Sequence, residues 1–244
     1  MHPEYALRYR ELYERHWWWR AREDLILETL DHLRHEGVAG PILDVGCGDG
    51  LFFEKLQRFG SVEGVEMDPT GVDPSGPWAS RIRIAPFDAS FEPGRRYGLV
   101  LLLDVLEHFP DPDARLSRAV GLLAPGGAIV VTVPAFRALW TSHDELNRHY
   151  ARFTRGQLAA VTERAGARIE SSRYFFHWMF PFKLAAHLAE AIRPAPPRPP
   201  RIPPPWLNGL LYRVSRWEQK ASRLLRPPFG SSLLAVLRGA SDAA

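Results

Sequence analysis

Three alternating glycines directly after a short apolar run constrain this chain more than any other feature. The run Pro41–Val45 is typical of a buried strand, and the glycines are Gly46, Gly48 and Gly50. Glycine has no Cβ, so the backbone can turn sharply here and approach a ligand closely. Open α/β sheets bind ligands at the carboxyl ends of their strands, where this loop lies. Leu51 stands where the dinucleotide pattern G-x-G-x-x-G needs glycine, and no Lys-Ser/Thr pair completes a Walker loop.

Strand and helix signals alternate along much of the chain. Apolar runs typical of strands occur at Pro41–Val45, Val62–Met67, Arg81–Pro86, Gly98–Asp104 and Ala128–Pro134. Helical spacing between them, as in Leu51–Phe59 and Pro112–Leu123, indicates a mostly parallel sheet covered on both faces. Gly126-Gly127 predicts the turn into the fifth strand. Farther along, the sequence predicts a helix and two more strands, at Thr154–Ala165, Ala167–Phe176 and Ser231–Arg238.

Length and composition narrow the class of protein. A chain of 244 residues, 45% hydrophobic and 24% charged, can bury a core and fits one α/β domain with a smaller appendage. The single cysteine, Cys47, excludes a disulfide framework and any multi-cysteine metal site. Residues 1–24 lack the apolar stretch of a secretory signal, so we expect a cytoplasmic protein.

The net charge of +3 conceals two sections of opposite sign. Residues 193–238 carry nine Arg or Lys and one acid, whereas the rest of the chain has a net charge of −5. Such a basic section either binds anionic partners or forms an arginine-rich surface exposed to solvent. We favour the solvent-exposed surface. Pro194–Pro205 predicts a linker or rigid surface loop, and Trp206–Arg226 predicts an amphipathic, basic helix. Four polar side chains within residues 177–193 argue against a transmembrane span there.

Five motifs, in chain order, resemble those of the class I S-adenosylmethionine-dependent methyltransferases. They are Asp44 with Gly46, Gly48 and Gly50, then Gly64-Val65-Glu66, Phe87-Asp88-Ala89, Asp104-Val105-Leu106-Glu107-His108 and Leu123-Ala124-Pro125-Gly126-Gly127. The resemblance implies a Rossmann-like, doubly wound α/β fold whose seven strands are parallel except for an antiparallel last strand. It also implies an enzyme that uses S-adenosyl-L-methionine as its cofactor.

The resemblance assigns cofactor-binding roles to residues of these motifs. Glu66 resembles the acid that holds both ribose hydroxyls, and it follows Asp44 by 22 residues, close to the spacing of a ribose-binding acid in a βαβ unit. Asp88 resembles the residue beside the adenine amino group, and Asp44 lies at the methionine end, where an acid favours the ammonium. We interpret Cys47 as a small packing residue rather than a nucleophile. The predicted set is Asp44, Gly46, Cys47, Gly48, Gly50, Glu66, Met67, Asp88, Ala89, Leu103 and Asp104.

Three histidines are candidate catalytic bases. His143 and His149 lie in a polar, aromatic loop after the fifth strand, and His108 closes the motif after the fourth. An unperturbed imidazole titrates near neutrality, so each can take a proton from an acceptor. The alternative for each histidine is a hydrogen-bonded structural role.

A metal site is the alternative use of the motif after the fourth strand. Asp104, Glu107 and His108 are spaced i, i+3 and i+4, so they share one face if a helix begins there. The arrangement is similar to one in some ubiquinone-pathway O-methyltransferases and small-RNA 2′-O-methyltransferases, where it helps to hold a divalent metal. We expect no metal, because Glu-His at this place is widespread in the wider family without one.

The N-terminal tryptophans, together with the loop of His143 and His149, resemble a bacterial small-molecule branch of the family. The segment His16-Trp17-Trp18-Trp19-Arg20-Ala21-Arg22 is interpreted either as a lid over the cofactor or acceptor or as core packing. We divide the chain into an N-terminal helical lid (residues 1–36), a methyltransferase core (37–176), a helical, proline-rich, basic insertion (177–230) and a final strand with tail (231–244).

The predicted function is methyl transfer to a small-molecule acceptor, with O-methylation favoured. No Asn-Pro-Pro-Tyr-like signature follows the fourth strand, where the chain reads Leu103-Asp104-Val105-Leu106, and this argues against N-methylation of nucleic-acid bases. The alternatives are an RNA 2′-O-methyltransferase and a non-catalytic S-adenosylmethionine-binding partner subunit, although we do not expect a nucleic-acid partner.

We expect the helix Trp206–Arg226 to cover the sheet and the acceptor pocket with its arginines in solvent. The alternative is peripheral membrane contact through the basic C-terminal section.

Overall fold

The computed structural model describes residues 3–193 and 200–240, and of residues 3–8 it describes the backbone alone. Part of the predicted proline-rich linker, residues 194–199, lies outside the described residues, as do the first two residues of the predicted lid and residues 241–244 of the predicted tail.

Seven strands form one sheet. In chain order they are β1 (Ile42–Val45), β2 (Val62–Glu66), β3 (Ile82–Ile84), β4 (Tyr97–Leu103), β5 (Leu123–Pro134), β6 (Ala167–Phe175) and β7 (Ser232–Gly239). Their spatial order is β3-β2-β1-β4-β5-β7-β6, with six strands parallel and β7 antiparallel. The predicted Rossmann-like, doubly wound fold is confirmed.

The α-helices of the described residues are α1 (Pro3–Arg15), α2 (Trp17–His35), α3 (Phe53–Leu56), α4 (Pro112–Gly121), α5 (Ser142–Leu146), α6 (Arg155–Arg164), α7 (Met179–Ile192) and α8 (Pro205–Leu225). None of these helices is both long enough and apolar enough to cross a membrane. Helices α6 and α8 agree with the predicted ones to within a residue at each end.

Strand β4 lies in the middle of the sheet. Its residues Tyr97–Leu102 are buried, as expected for a strand without polar alternation. Strand β1 pairs in parallel with both neighbours, so that Asp44 is opposite Leu101 on β4 and Gly64 on β2. The carboxyl ends of β1, β2, β3 and β4 therefore share one edge of the sheet.

Two predicted elements differ from the observed ones. Strand β5 begins at Leu123, before Gly126-Gly127, and its pairing with β4 shifts after Tyr97, so the glycines form a bulge inside the strand rather than a turn before it. Helix α3 has one turn instead of the predicted Leu51–Phe59. Gly50, at φ +69°, interrupts helical geometry just before it.

The chain divides into two compact units. The sheet unit contains the described residues 30–133, 155–172 and 234–240, and the helical unit contains residues 3–29, 134–154, 173–193 and 200–233. The core of the sheet unit is built from fully buried aliphatic residues of its central strands: Val100, Leu101, Leu102, Ile129, Val130 and Val131.

The tryptophan run forms part of the core of the helical unit. Trp17 is 6% exposed and Trp19 is 8% exposed. The rings of Trp17 and Phe176 meet edge to face and those of Trp18 and Phe176 stack, both with centroids 5.7 Å apart. These contacts support the core-packing interpretation of the three tryptophans. A lid function for residues 1–36 stays a prediction.

Helix α8 turns its polar side inward. Its buried residues are all polar: Asn208, Ser215, Glu218, Gln219 and Ser222. Its exposed large apolar residues are Trp206, Leu210, Val214, Trp217, Leu224 and Leu225. The expectation that the apolar side of this helix covers the protein is therefore wrong.

The physical reason is that buried polar groups need hydrogen-bond partners, and α8 finds them on the first two helices. The amide of Asn208 accepts a hydrogen bond from the backbone N of Trp17 (2.9 Å) and donates one to the carbonyl of Arg15 (2.8 Å). Gln219 donates to the carbonyl of Ala21 (3.1 Å). These partners satisfy the hydrogen-bonding groups on the polar side of α8, so this side is buried and the apolar side is exposed to solvent.

Candidate active site

The glycine loop after β1 forms a cradle that side chains would fill. Gly46, Gly48 and Gly50 have φ values of +68°, +53° and +69°. A Cβ on Gly46 would lie 3.0 Å from Val105, and one on Gly50 would lie 3.1 Å from Trp78. Glycine is therefore required for the conformation and for the close packing of this loop. Gly48 faces open space, so its backbone is accessible to a ligand.

Cys47 packs against β2 below this cradle. A Cβ on Gly64 would lie only 2.3 Å from the Sγ atom of Cys47 and 2.7 Å from the ring of Phe53. Burial raises the pKa of the Cys47 thiol well above its ordinary value, and the nearby carboxylates of Asp44 and Glu66 raise it further. A thiol that keeps its proton is a poor nucleophile, which supports the interpretation of Cys47 as a packing residue.

Glu66, the last residue of β2, connects two loops through its carboxylate. Its Oε2 atom accepts a hydrogen bond from the backbone N of Gly48 (2.9 Å). Its Oε1 atom accepts from the backbone N of both Met67 and Asp68, each at 2.9 Å. A carboxylate has about four acceptor positions, so three amide contacts leave capacity for a further donor.

Asp88 lies in the loop after β3. Its Oδ1 atom accepts hydrogen bonds from the backbone N (2.9 Å) and the hydroxyl (2.6 Å) of Ser90. These two bonds lower the pKa of Asp88, and the more distant Arg115 acts in the same direction. The carboxylate therefore stays ionised, and its Oδ2 atom, 4.0 Å from the guanidinium of Arg115, can accept from another donor.

Two arginines of α4, which the sequence analysis missed, hold this loop. Arg115 donates to the carbonyl of Phe87 (2.9 Å), and Arg118 donates to the carbonyl of Phe91 (2.9 Å). One signal in the sequence could have identified them. They are three residues apart on a predicted helix, so both side chains lie on one face of it.

The motif after β4 does not begin an α-helix. Asp104 is left-handed, with φ +58°, and its Oδ1 atom accepts from the hydroxyl of Thr132 (3.1 Å). Leu106–His108 forms a single 3-10 turn in which Glu107 is buried and His108 is exposed. The expected helical face shared by Asp104, Glu107 and His108 is absent, because a left-handed residue cannot continue a right-handed helix.

The sheet unit brings the predicted cofactor residues to one edge of the sheet. Asp44 lies on β1, Glu66 ends β2, Asp88 follows β3 and Leu103 ends β4. Asp44 is buried, whereas Met67, which follows Glu66, and Ala89, which follows Asp88, are exposed. These strands are parallel neighbours, so the acids and the glycine cradle stand at the edge where α/β sheets bind ligands.

In the helical unit, a buried ionic cluster surrounds Asp144 of α5. The guanidinium of Arg152 donates to both carboxylate oxygens of Asp144, at 2.8 and 2.9 Å, and also to the carbonyl of Ala135 (3.1 Å). Nδ1 of His149 lies 2.9 Å from Asp144 Oδ1. Burial acts to raise the pKa of Asp144, but the hydrogen bonds from His149 and Arg152 outweigh it and lower that pKa.

The two loop histidines differ in what their contacts allow. The ionised Asp144 fixes the ring of His149 and favours the tautomer with hydrogen on Nδ1, which leaves Nε2 as the basic nitrogen. The ring of His143 has its Nε2 atom 3.1 Å from the amide nitrogen of Asn147. Burial, followed by the charge of Lys183, lowers the pKa of His143 to about 4, so this ring is neutral and weakly basic at pH 7.

Comparison with known protein families places the chain among methyltransferases. A methyltransferase domain model matches residues 15–172. The ubiquinone biosynthesis O-methyltransferase of Xanthomonas euvesicatoria pv. vesicatoria is 28% identical over 214 residues, which cover 73% of this chain and 89% of that protein. The protein of the same name from Bradyrhizobium sp. is 35% identical over 106 residues, with 37% of this chain and 38% of the relative covered. The match to the Pseudomonas savastanoi pv. phaseolicola protein, 32% identical over 128 residues, covers 46% of this chain and 55% of the relative.

Solved structures agree on the fold. The CcbJ methyltransferase of Streptomyces caelestis matches with a TM-score of 0.53 at 15% identity, over 90% of this chain and 89% of that one. A Galdieria sulphuraria protein assigned as a sarcosine dimethylglycine methyltransferase also has a TM-score of 0.53 at 15% identity, over 88% of this chain and 86% of its own. The family match makes the chain an enzyme, so the alternative of a non-catalytic subunit is set aside. Since the family model spans more than half of its length, the chain belongs to the methyltransferase domain family and is an S-adenosylmethionine-dependent methyltransferase.

Proposed function

We propose that this enzyme methylates a hydroxyl oxygen of a small-molecule acceptor. The observation that carries the proposal is the carboxylate-held imidazole of His149, because a neutral hydroxyl must lose its proton as its oxygen accepts a methyl group. The three relatives described above support the choice of oxygen, since each is named an O-methyltransferase.

The cofactor is proposed to bind along the carboxyl edge of the sheet unit. Bound S-adenosylmethionine supplies an electrophilic methyl group on a sulfonium. Glu66 is proposed to accept a hydrogen bond from a ribose hydroxyl at its remaining acceptor position, and Asp88 one from the adenine amino group. Asp44 favours the ammonium of the methionine end. The glycine loop fits this ligand, because Gly48 faces open space where a side chain would stand in the way of a bound molecule.

His149 is proposed to be the general base. Its Nε2 atom takes the proton from the acceptor hydroxyl, while Asp144 stabilises the imidazolium that forms. Arg152 is a positioning residue that keeps Asp144 ionised and in place. The contacts and lowered pKa of His143 suit a structural role, and His108 remains a second candidate base.

The test is to incubate the purified enzyme with methyl-labelled S-adenosylmethionine and a panel of phenols, sugars, carboxylic acids and RNA. We expect label on oxygen in a small-molecule product, identified by mass spectrometry and NMR. With that acceptor, His149→Gln should lower kcat by about 10²–10⁴-fold without changing cofactor affinity. His32→Gln, which changes an exposed histidine of α2, is the matched control.

Transfer to nitrogen, carbon or an RNA ribose would contradict the proposed acceptor class. An unchanged kcat in His149→Gln would remove this histidine from the mechanism and move attention to His108. A greater loss in His143→Gln than in His149→Gln would reverse the roles proposed for these two residues.

A further inference from the structure

Helices α7 and α8 each expose apolar side chains that no described part of the chain covers. Helix α7 buries none of its side chains, and one side of it exposes the apolar residues Phe182, Ala185, Ala186, Leu188, Ala189 and Ile192. Helix α8 adds Trp206, Leu210, Val214, Trp217 and Leu224. These residues together are called the apolar face. Soluble monomers rarely leave so many large apolar side chains of adjoining helices in water without a binding purpose.

The two helices are joined through Trp178, at the start of α7. Its indole donates a hydrogen bond to the hydroxyl of Ser215 (3.1 Å), and its backbone N donates to the carboxylate of Glu218 (2.7 Å). Its ring also contacts that of Phe182, with centroids 5.9 Å apart. These contacts fix the start of α7 against the buried side of α8. The start of α7 is therefore attached to α8 within the helical unit.

The exposed tryptophans are the strongest feature of this surface. Trp206 is 70% exposed and Trp217 is 73% exposed. They are separated by three helical turns, so they lie on the same side of α8, about 16 Å apart. Tryptophan is enriched at membrane–water interfaces, because its ring is largely apolar while its N–H group still needs a polar partner.

Cations accompany the apolar side of α8. Arg213, Lys220 and Arg226 are exposed, and among the described residues no acid forms an ion pair with any of them. The single acid of α8, Glu218, is buried and accepts the hydrogen bond from Trp178. The surface is thus apolar and positively charged.

Helix α7 adds no exposed negative charge to this surface. Its single acid, Glu190, accepts hydrogen bonds from the backbone N (2.7 Å) and hydroxyl (3.1 Å) of Ser142. A second copy of the chain that docked through its own apolar face would bring like charges together. An anionic surface complements both the charge and the apolar side chains.

We propose that the apolar face docks the enzyme on a lipid bilayer that carries anionic headgroups, with α7 and α8 lying in its interface. Helices with Trp and Leu on one side and Arg or Lys beside them bind in this way, with the apolar side about 5–10 Å below the headgroups. The proposal does not rest on O-methylation. It requires neither His149 nor a particular acceptor, so its test can fail or succeed independently of the proposed function.

The test is flotation of the full chain with vesicles of phosphatidylcholine alone or mixed with phosphatidylglycerol. We expect the enzyme to float with the anionic vesicles and to be released by salt. Arg213→Gln/Lys220→Gln should lower the vesicle partition coefficient about 25-fold, since each cation near an anionic surface contributes about fivefold. Arg58→Gln/Arg168→Gln removes two exposed cations of the sheet unit as a matched control and should float like the wild type.

A second pair of variants tests the apolar contribution. Trp206→Ser/Trp217→Ser should lose most vesicle binding, whereas Tyr150→Ser, which removes an exposed aromatic residue outside the apolar face, should retain it. Undiminished binding of S-adenosylhomocysteine by each variant establishes that it is folded.

Three outcomes would overturn the proposal. The first is a wild-type enzyme that floats with neither kind of vesicle. The second is equal flotation of the wild type and the Arg213→Gln/Lys220→Gln variant. The third is a dimer in sedimentation that Trp206→Ser/Trp217→Ser dissociates, with no vesicle binding, which would assign the apolar face to a second copy of the chain.

Discussion

The carboxylate of Glu66 accepts three backbone hydrogen bonds, so this residue has a structural role in addition to any contact with a ligand. The amides come from both the glycine loop and the turn after β2, so the side chain holds the two loops in register. Its place at the end of a strand, 22 residues after Asp44, could be predicted from the sequence. The amide contacts could not, because they depend on how two separate loops meet.

We expect Glu66→Gln to weaken S-adenosylmethionine binding by about 10–100-fold. Hydrogen bonds to a charged group contribute about 1.5–3 kcal/mol, and the variant replaces the charged acceptor with a neutral amide. Isothermal titration calorimetry measures the change. Glu54→Gln alters an exposed acid of α3 and should bind like the wild type. Equal affinity in the two variants would contradict the ribose-binding role proposed for Glu66.

Gly64 is required for packing rather than for backbone conformation, and Gly64→Ala should destabilise the fold by about 1–3 kcal/mol. The added methyl group would overlap the sulfur of Cys47 and the ring of Phe53. Urea unfolding gives the free energy directly. Gly71→Ala is the control, because a Cβ there meets no atom within 4 Å.

The double variant Cys47→Ala/Gly64→Ala should recover part of the stability lost in Gly64→Ala, since it removes the nearer of the two overlapping groups. A Gly64→Ala protein as stable as Gly71→Ala would show that the strand shifts without cost and would refute this account of the packing.

At the scale of elements, hydrophobic periodicity located α8 well but did not show which side of it is buried. Periodicity reports where side chains of one kind lie on a helix. Burial depends on the partners that the rest of the chain offers, and here the partners are polar groups on helices far away in sequence. The same reason limits prediction of the site. Glycines and acids at strand ends are local signals, whereas Arg115 and the Asp144–Arg152 pair act through contacts that only the fold creates.

Helix α5 makes stability depend on pH. Burial lowers the pKa of His143 from 6.5 to about 4, so between these values the unfolded chain binds a proton that the folded chain does not. The free energy of unfolding should therefore fall as the pH decreases from about 6.5 to 4 and level off below. We expect His143→Gln to reduce this slope by up to about 1.4 kcal/mol per pH unit, measured by urea unfolding between pH 4 and 7.

A second histidine titrates in the same window and must be included in that measurement. Burial also lowers the pKa of His16 to about 4, so His143→Gln should reduce the slope without abolishing it. His32→Gln, at an exposed position on α2, should leave the slope unchanged. A His143→Gln protein with the wild-type slope would show that His143 does not keep its lowered pKa in solution.

At the scale of the whole molecule, the cofactor residues lie in one unit, while the ionic cluster and the apolar face lie in the other. The sequence shows a boundary of charge near residue 193, yet the helical unit consists of the described residues within 3–29, 134–154 and 173–233. Local composition cannot reveal such a unit, because it is assembled from three segments that are distant in the chain. The sheet, in contrast, was predicted correctly from the family resemblance. Its strands carry motifs that follow one another in chain order, so the sequence shows them directly.

Ligand binding should stabilise the whole molecule by mass action. S-adenosylhomocysteine at a hundred times its Kd should raise the free energy of unfolding by about 2.7 kcal/mol. NADH at the same concentration is the control and should give no increase, because the glycine loop departs from the dinucleotide pattern at Leu51. Urea unfolding with each ligand measures the difference. An equal increase with NADH would contradict a loop selective for S-adenosylmethionine.

The two hydrogen bonds of Asn208 to the junction of α1 and α2 impose an order on events during synthesis. The side chain that satisfies the backbone of this junction is translated about 190 residues after the junction itself. At typical elongation rates of 5–20 residues per second, this interval is roughly 10–40 s. For that time the tryptophan-rich start of the chain lacks its final partner. Helices α1 and α2 therefore complete their native contacts only after α8 has been made.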